Sequence, residues 1–482
     1  MKNNFHKPPQ AAIRFANIVF VLGVLFFVCL IIFSIFRFYN PTDDGILKFS
    51  NDELFKYYLR LIFIGVIGLI FFWFGLRLKI DSKVNLSVML VTTLITVYGF
   101  ETYLGFFREK INLRGIKAKQ IGISYDTRTT IEVLDNLTDF GIKAFPNVIP
   151  GAHLTDNGII YNLGGISNIT TIFWNESGSY PIIKTDEHGF NNPSGLYNEN
   201  AVDIVLTGDS FTEGLSVNWD ESISAVLREA GYRALSIGKR GNGPLLEFAA
   251  LKEYAEPLKP KIVLWVYSSN DMFNLIEEME SPVLKKYLNK DGFSQNLISR
   301  QREIDSVLIN YVQRERVREK NKKIVDIIKL SKLRNLIHLL PKTKPKIKPV
   351  RINIFKDILQ QSRQMVSEWG GEMYFVYLPS FYSQTPPYIF SEKSPQEHFP
   401  TYRGLYPLWL PSEERNREIV MQTATELDIP IIDIQNEVFK THPDPLSLFP
   451  LRTDSHYNAE GYRLVAEVIR KQLNTDHYIS IN

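Results

Sequence analysis

The chain of 482 residues holds a single cysteine, Cys29. One thiol excludes a disulfide framework, a cysteine-based zinc cluster and a CxxC redox pair. Cys29 itself lies in an apolar run and reads as an inert small hydrophobe. Net charge is equally scarce: a formal +3 is too small to imply nucleic-acid binding. No Gly-x-x-x-x-Gly-Lys loop is available to cradle a nucleotide, and the histidines other than His456 show no paired ligand spacing. Neither a cofactor nor a metal is therefore expected. Disorder is excluded as the overall state, because 45% of the residues are hydrophobic and 22% charged.

The apolar residues are unevenly spread. Residues 15–36 carry no charge and are rich in Val, Leu, Ile and Phe; about 20 such residues span a bilayer core as a helix. The run is long for a signal peptide, and no small-x-small cleavage site precedes Arg37. Two further spans are expected at 58–77, whose apolar run 61–76 is flanked by Tyr57, Tyr58, Arg60 and Arg77, and at 84–106, where Glu101 must lie at an interface to be tolerated. Residues 1–120 thus read as a membrane region with three transmembrane helices.

Beyond residue 120 the pattern is that of an α/β protein. Residues 121–200 read as an irregular, partly β module with a polar helix near Thr130. A βα alternation follows, with short apolar strands expected at 201–207, 232–237, 262–267, 373–378 and 429–434. Such strands alternating with helices imply a three-layer α/β/α, doubly wound parallel sheet over 201–482. Residues 276–350 interrupt it as a basic helical insertion, with fifteen Lys and Arg against five Asp and Glu from Arg300 to Lys348. A solvated surface is the plain reading of that insertion; anionic headgroups or an acidic polymer are the functional ones.

The chemistry gathers at strand ends. Strand 201–207 runs into Gly208-Asp209-Ser210, which places a serine at the start of a helix, where N–H groups favour a developing oxyanion. The second strand leads to a glycine-rich loop containing Gly241, and the third to Ser268-Ser269-Asn270-Asp271. Near the C-terminus stands Asp454-Ser455-His456. In an extended segment residues i and i+2 face the same way, so Asp454 would orient His456 and leave its other nitrogen for Ser210. Singly each feature is ordinary; their coincidence, each after an expected strand, is not. His188, within Asp186-Glu-His-Gly-Phe190, reads as part of a turn.

These residues resemble the four blocks of the SGNH (GDSL-type) hydrolases and acyltransferases, over roughly 200–275 and 365–473. The resemblance implies Ser210 as nucleophile, His456 as general base, Asp454 as its orienting acid, and an oxyanion hole from Ser210, Gly241 and Asn270. Two departures stand out. The third block usually reads Gly-x-Asn-Asp, and the last usually separates Asp from His by two residues. The Asp-x-His pair instead resembles the alginate O-acetyltransferase branch. A Gly-x-Ser-x-Gly elbow is absent around Ser210. The resemblance implies a membrane-anchored serine esterase or O-acyltransferase acting on acyl, chiefly acetyl, esters of a glycan or lipid-linked saccharide. Membrane acyl-transfer proteins would be its partners, and nucleic acid would not. The alternatives are a lipid esterase or lysophospholipase, and a non-catalytic glycan-binding subunit of a membrane assembly. Lys and Arg counts lean towards a cytoplasmic C-terminal part, whereas the resemblance implies an extracytoplasmic one, and the expectation follows the resemblance.

Overall fold

The computed structural model describes residues 8–39, 51–107, 112–198, 202–337, 352–384 and 410–475. The chain divides into two compact units, Met1–Lys110 with Val317–Lys342, and Ile111–Arg316 with Thr343–Asn482.

The first unit contains helices Gln10–Tyr39, Asn51–Gly75 and Ile80–Phe107, three helices long and apolar enough to cross a membrane. Packing between the first two depends on glycines that admit aromatic rings. A Cβ built on Gly23 would stand 2.1 Å from the Phe72 ring, and one on Gly75 2.1 Å from the Phe20 ring. Close approach at small residues is how apolar helices associate without a hydrophobic drive between them. Glu101, in the third helix, is buried, and its carboxylate accepts hydrogen bonds from the N–H groups of Lys332 and Leu333. Those donors open helix Ser331–Ile337, within the expected basic insertion. The segment 276–350 is thus divided between the two units.

Among the described residues the second unit holds ten short strands: β1 (Ala144–Pro146), β2 (Gly151–Thr155), β3 (Gly158–Asn162), β4 (Thr170–Ile172), β5 (Ile182–Lys184), β6 (Ile204–Gly208), β7 (Ala234–Ser236), β8 (Ile262–Tyr267), β9 (Glu372–Tyr377) and β10 (Ile431–Asp433). The last five form one parallel sheet in the order β10-β9-β8-β6-β7. Both faces of this sheet are buried, so its strands read as continuous apolar runs, yet alternation still sorts them between two cores. Val263, Trp265 and Tyr267 of β8 pack with Leu245, Phe248, Phe355 and Val366 on one face. Ile262, Leu264 and Val266 pack with Ile223, Leu227, Val465 and Ile469 on the other. These contacts make three layers: helices Pro244–Ala250 and Ile352–Glu368, the sheet, then helices Ile223–Glu229 and Ala459–Thr475. The order reverses at β6, which has β7 on one side and β8 on the other. The carboxyl ends at such a reversal form the crevice where open α/β sheets bind ligands.

Residues 112–198 fold into helices and two small sheets, β1-β4-β5 and the β2-β3 hairpin. Helix Thr130–Asp139 starts with a capping box between Thr129 and Glu132, which accounts for the polar helix expected there. At 186–190 the Asp186 carboxylate accepts from the N–H groups of His188 and Phe190, closing a tight turn around that histidine.

Candidate active site

Strand β6 delivers Ser210 to this crevice. A Cβ at Gly208 would stand 2.1 Å from Thr212 Oγ1 and 2.6 Å from the Val266 carbonyl oxygen, so only glycine admits this turn. Asp209 caps helix Ser210–Glu213 by accepting from the Phe211 N–H. Ser210 itself stands in the first turn, whose N–H groups have no partner inside a helix.

His456 lies beside it. Its Nε2 is 2.7 Å from Ser210 Oγ, and its Nδ1 is 2.9 Å from a carboxylate oxygen of Glu176. That oxygen also accepts from the His456 backbone N–H at 3.0 Å and from the Ser216 hydroxyl. Arg114 donates to the other Glu176 oxygen at 3.3 Å. A carboxylate facing Nδ1 places the ring proton there, which leaves Nε2 to accept the serine proton. Glu176 comes from the turn between β4 and β5, far from His456 in sequence.

Asp454, expected in that role, is placed elsewhere. Its carboxylate accepts from the Tyr382 hydroxyl at 2.7 Å, and its backbone carbonyl accepts from Arg114 at 2.9 Å. The expectation assumed an extended segment. Residues 453–456 instead form a bend, after Leu451 and Arg452 with φ of +54° and +53°. The i, i+2 alternation of a strand does not operate in a bend, and the two side chains diverge.

Electrostatics separate the two carboxylates further. Burial alone would raise Glu176, but the charges of His456 and Arg114 and its hydrogen bonds hold it well below the usual carboxylate range. Burial likewise opposes a charge on His456, yet the charge and hydrogen bond of Glu176, joined by the charge of Asp209, raise the imidazole above its ordinary value. Burial pushes Asp454 up to about 6, against the Tyr382 hydrogen bond.

Of the two remaining expected residues, Asn270 stands against Asp209. Asn270 donates its side-chain amide to Asp209 Oδ2 at 3.0 Å. Ser268 replaces the usual glycine of that block, and its hydroxyl is 2.6 Å from Asn270 Oδ1 and 2.8 Å from Asp209 Oδ2. One hydroxyl proton can serve only one of these acceptors at a time, and either bond restrains the amide's orientation. Gly241 has φ +86° and open space where a Cβ would stand. The preceding Arg240 lays its guanidinium over the Trp174 ring, 3.5 Å from the centroid.

Glu176, Arg114 and Ser216 were invisible to the sequence reading. A lone glutamate in Trp174-Asn175-Glu176-Ser177-Gly178 resembles any polar turn, and no spacing ties it to a histidine 280 residues away.

No family model matches the chain, and no curated protein matches it. Among solved structures it is similar to a lipase/acylhydrolase from Enterococcus faecalis, at 12% identity over 57% of this chain and 96% of that one, with a TM-score of 0.30. It is also similar to an acetyl xylan esterase (12% identity, 56% and 98%, TM-score 0.29) and to a GDSL-like lipase from Bacteroides thetaiotaomicron (11% identity, 57% and 88%, TM-score 0.28). Likeness at this level leaves the chemistry of the site to its own geometry.

Proposed function

We propose that this chain is a membrane-anchored serine esterase or O-acyltransferase of the SGNH type. The observation that carries the reading is the continuous hydrogen-bonded chain from Ser210 through His456 to Glu176. In this reading His456 Nε2 takes the Ser210 proton as Oγ attacks an ester carbonyl. The tetrahedral oxyanion is held by the N–H groups of Ser210 and Gly241 and by the Asn270 amide. His456 then returns the proton to the leaving alcohol, and an acyl group remains on Ser210. Water or a sugar hydroxyl, deprotonated by the same imidazole, releases it. Glu176 takes the orienting role first expected of Asp454, so the Asp-x-His signature gives no further support to the alginate O-acetyltransferase branch.

The substrate class in this reading is an acyl ester, chiefly acetyl, of a glycan or lipid-linked saccharide. The Arg240–Trp174 pair favours a polar acyl acceptor, because it forms a charged and aromatic wall next to the loop carrying Gly241. In this reading the second unit works on the extracytoplasmic side.

A fluorophosphonate probe tests the nucleophile. Wild-type protein should be labelled at Ser210, and Ser210→Ala should abolish both labelling and turnover of small acetyl esters. Loss of a triad nucleophile costs about six orders of magnitude in kcat where it has been measured. Labelling at another residue, or wild-type turnover in the variant, would sink the serine mechanism. Product analysis on acetylated glycans and lipid esters then separates the saccharide from the lipid reading.

A further inference from the structure

Residues 317–328 form the second half of helix Gln301–Ile328 and belong to the same unit as the apolar helices. Their side chains are sorted around the helix. At about 100° per residue, Val317, Ile324 and Ile328 fall on one line. All three face solvent, at 61%, 63% and 63% exposure. Arg318 and Lys329 stand about 100–120° round one flank of this stripe and Lys320 about 60° round the other, whereas Lys322, about 140° round, turns to the far side and donates to Glu319 at 2.6 Å. Glu319 and Asp326 take the opposite side. An apolar stripe rimmed by cations with anions behind it is the arrangement of a helix lying in a bilayer interface.

Hydrogen bonds set the level of this segment. Tyr98 donates its hydroxyl to the Ile328 carbonyl at 3.2 Å, and Glu101 accepts from the N–H groups of Lys332 and Leu333, each at 2.8 Å. Tyr98 and Glu101 stand near the end of the third apolar span, which closes at Gly105. Tyrosine and a buried carboxylate at that depth mark the headgroup region. The basic segment is therefore fastened at the surface from which the span emerges.

We propose that residues 317–333 lie on the bilayer and bind anionic lipid headgroups, with the apolar stripe in the acyl boundary and the basic flanks on phosphate. An acidic polysaccharide would satisfy the cations but leave the exposed stripe in water. This inference is independent of the catalytic reading.

The test uses the full chain in a Cys29→Ser background, carrying either Ile324→Cys or Asp326→Cys labelled with an environment-sensitive nitrobenzoxadiazole. The protein is reconstituted in vesicles of phosphatidylcholine with or without phosphatidylglycerol. In anionic vesicles the label at 324 should shift to the blue and be quenched by nitroxide lipids, while the label at 326 stays water-like. High salt, or Arg318→Gln with Lys320→Gln and Lys329→Gln, should reverse the shift. Water-like emission at 324 in both membranes overturns the proposal. So does an equal shift in neutral and anionic vesicles, or one that appears only when a soluble acidic polysaccharide is added.

Discussion

A histidine works as a general base only while neutral, and the carboxylate on its far nitrogen sets the pH at which it becomes so. Burial lowers the pKa of His456, but the charge and hydrogen bond of Glu176, joined by the charge of Asp209, leave it raised overall. The acid limb of the pH–rate profile should therefore lie above the ordinary histidine value. Glu176→Gln removes that charge, so the limb should move to lower pH. Turnover should fall by up to about four orders of magnitude, the scale of the corresponding change in serine proteases. Asp454→Asn should cost at most about tenfold, because the hydrogen bond at stake there runs to Tyr382 and not to the imidazole. Steady-state kinetics of both variants across pH decides the matter, and the reverse ranking would return the orienting role to Asp454. Stability carries the same signature. The contribution of depressed Glu176 is present above the usual carboxylate range and fades as pH falls and it protonates. That of His456 is present below its unfolded pKa and fades as pH rises through its raised folded value.

Among elements, the loop after β7 has the most demanding support. Lys239 is buried and donates to Glu213 at 2.7 Å, to Asn147 at 2.7 Å and to the Gly189 carbonyl at 3.3 Å. It thereby ties the loop carrying Gly241 to the helix carrying Ser210 and to two turns within residues 112–198. Removing one partner of a buried pair strands the other charge without water, at a cost of about 3–5 kcal/mol. Lys239→Met should lower the unfolding free energy of the full chain in detergent by that amount, with a parallel loss of esterase activity. A change below about 1 kcal/mol, the worth of one ordinary hydrogen bond, would show that other contacts hold the loop.

At the scale of the whole molecule, the proposed function requires a particular side of the membrane for the second unit. Three crossing helices would put the N-terminus and the second unit on opposite faces of the membrane. Under the proposed function a phosphatase reporter fused after Asn482, active only outside the cytoplasm, should be active. A reporter fluorescent only inside should stay dark. Fluorescence without phosphatase activity would place the unit in the cytoplasm, in line with the Lys and Arg count, and would point to an intracellular acyl substrate.

Much of this architecture was legible in the order of residues. Apolar runs long enough to cross a bilayer, and short apolar strands between helices, are local patterns, and strand 262–267 falls on the residues expected. Ser210 and Asn270 were expected beyond strand ends for the same reason, and they lie two and three residues past β6 and β8. The bend at 453–456 was not legible, because a one-residue spacing reads as a facing pair only if the backbone is extended. Two assignments could be made only by the folded chain. Glu176 reaches His456 because a separate β module brings a turn against the C-terminal bend, and Glu101 is tolerated in an apolar helix because residues 332 and 333 bring it N–H donors. Both are pairings between segments far apart in sequence, and neither periodicity nor spacing specifies which distant group will satisfy a buried charge.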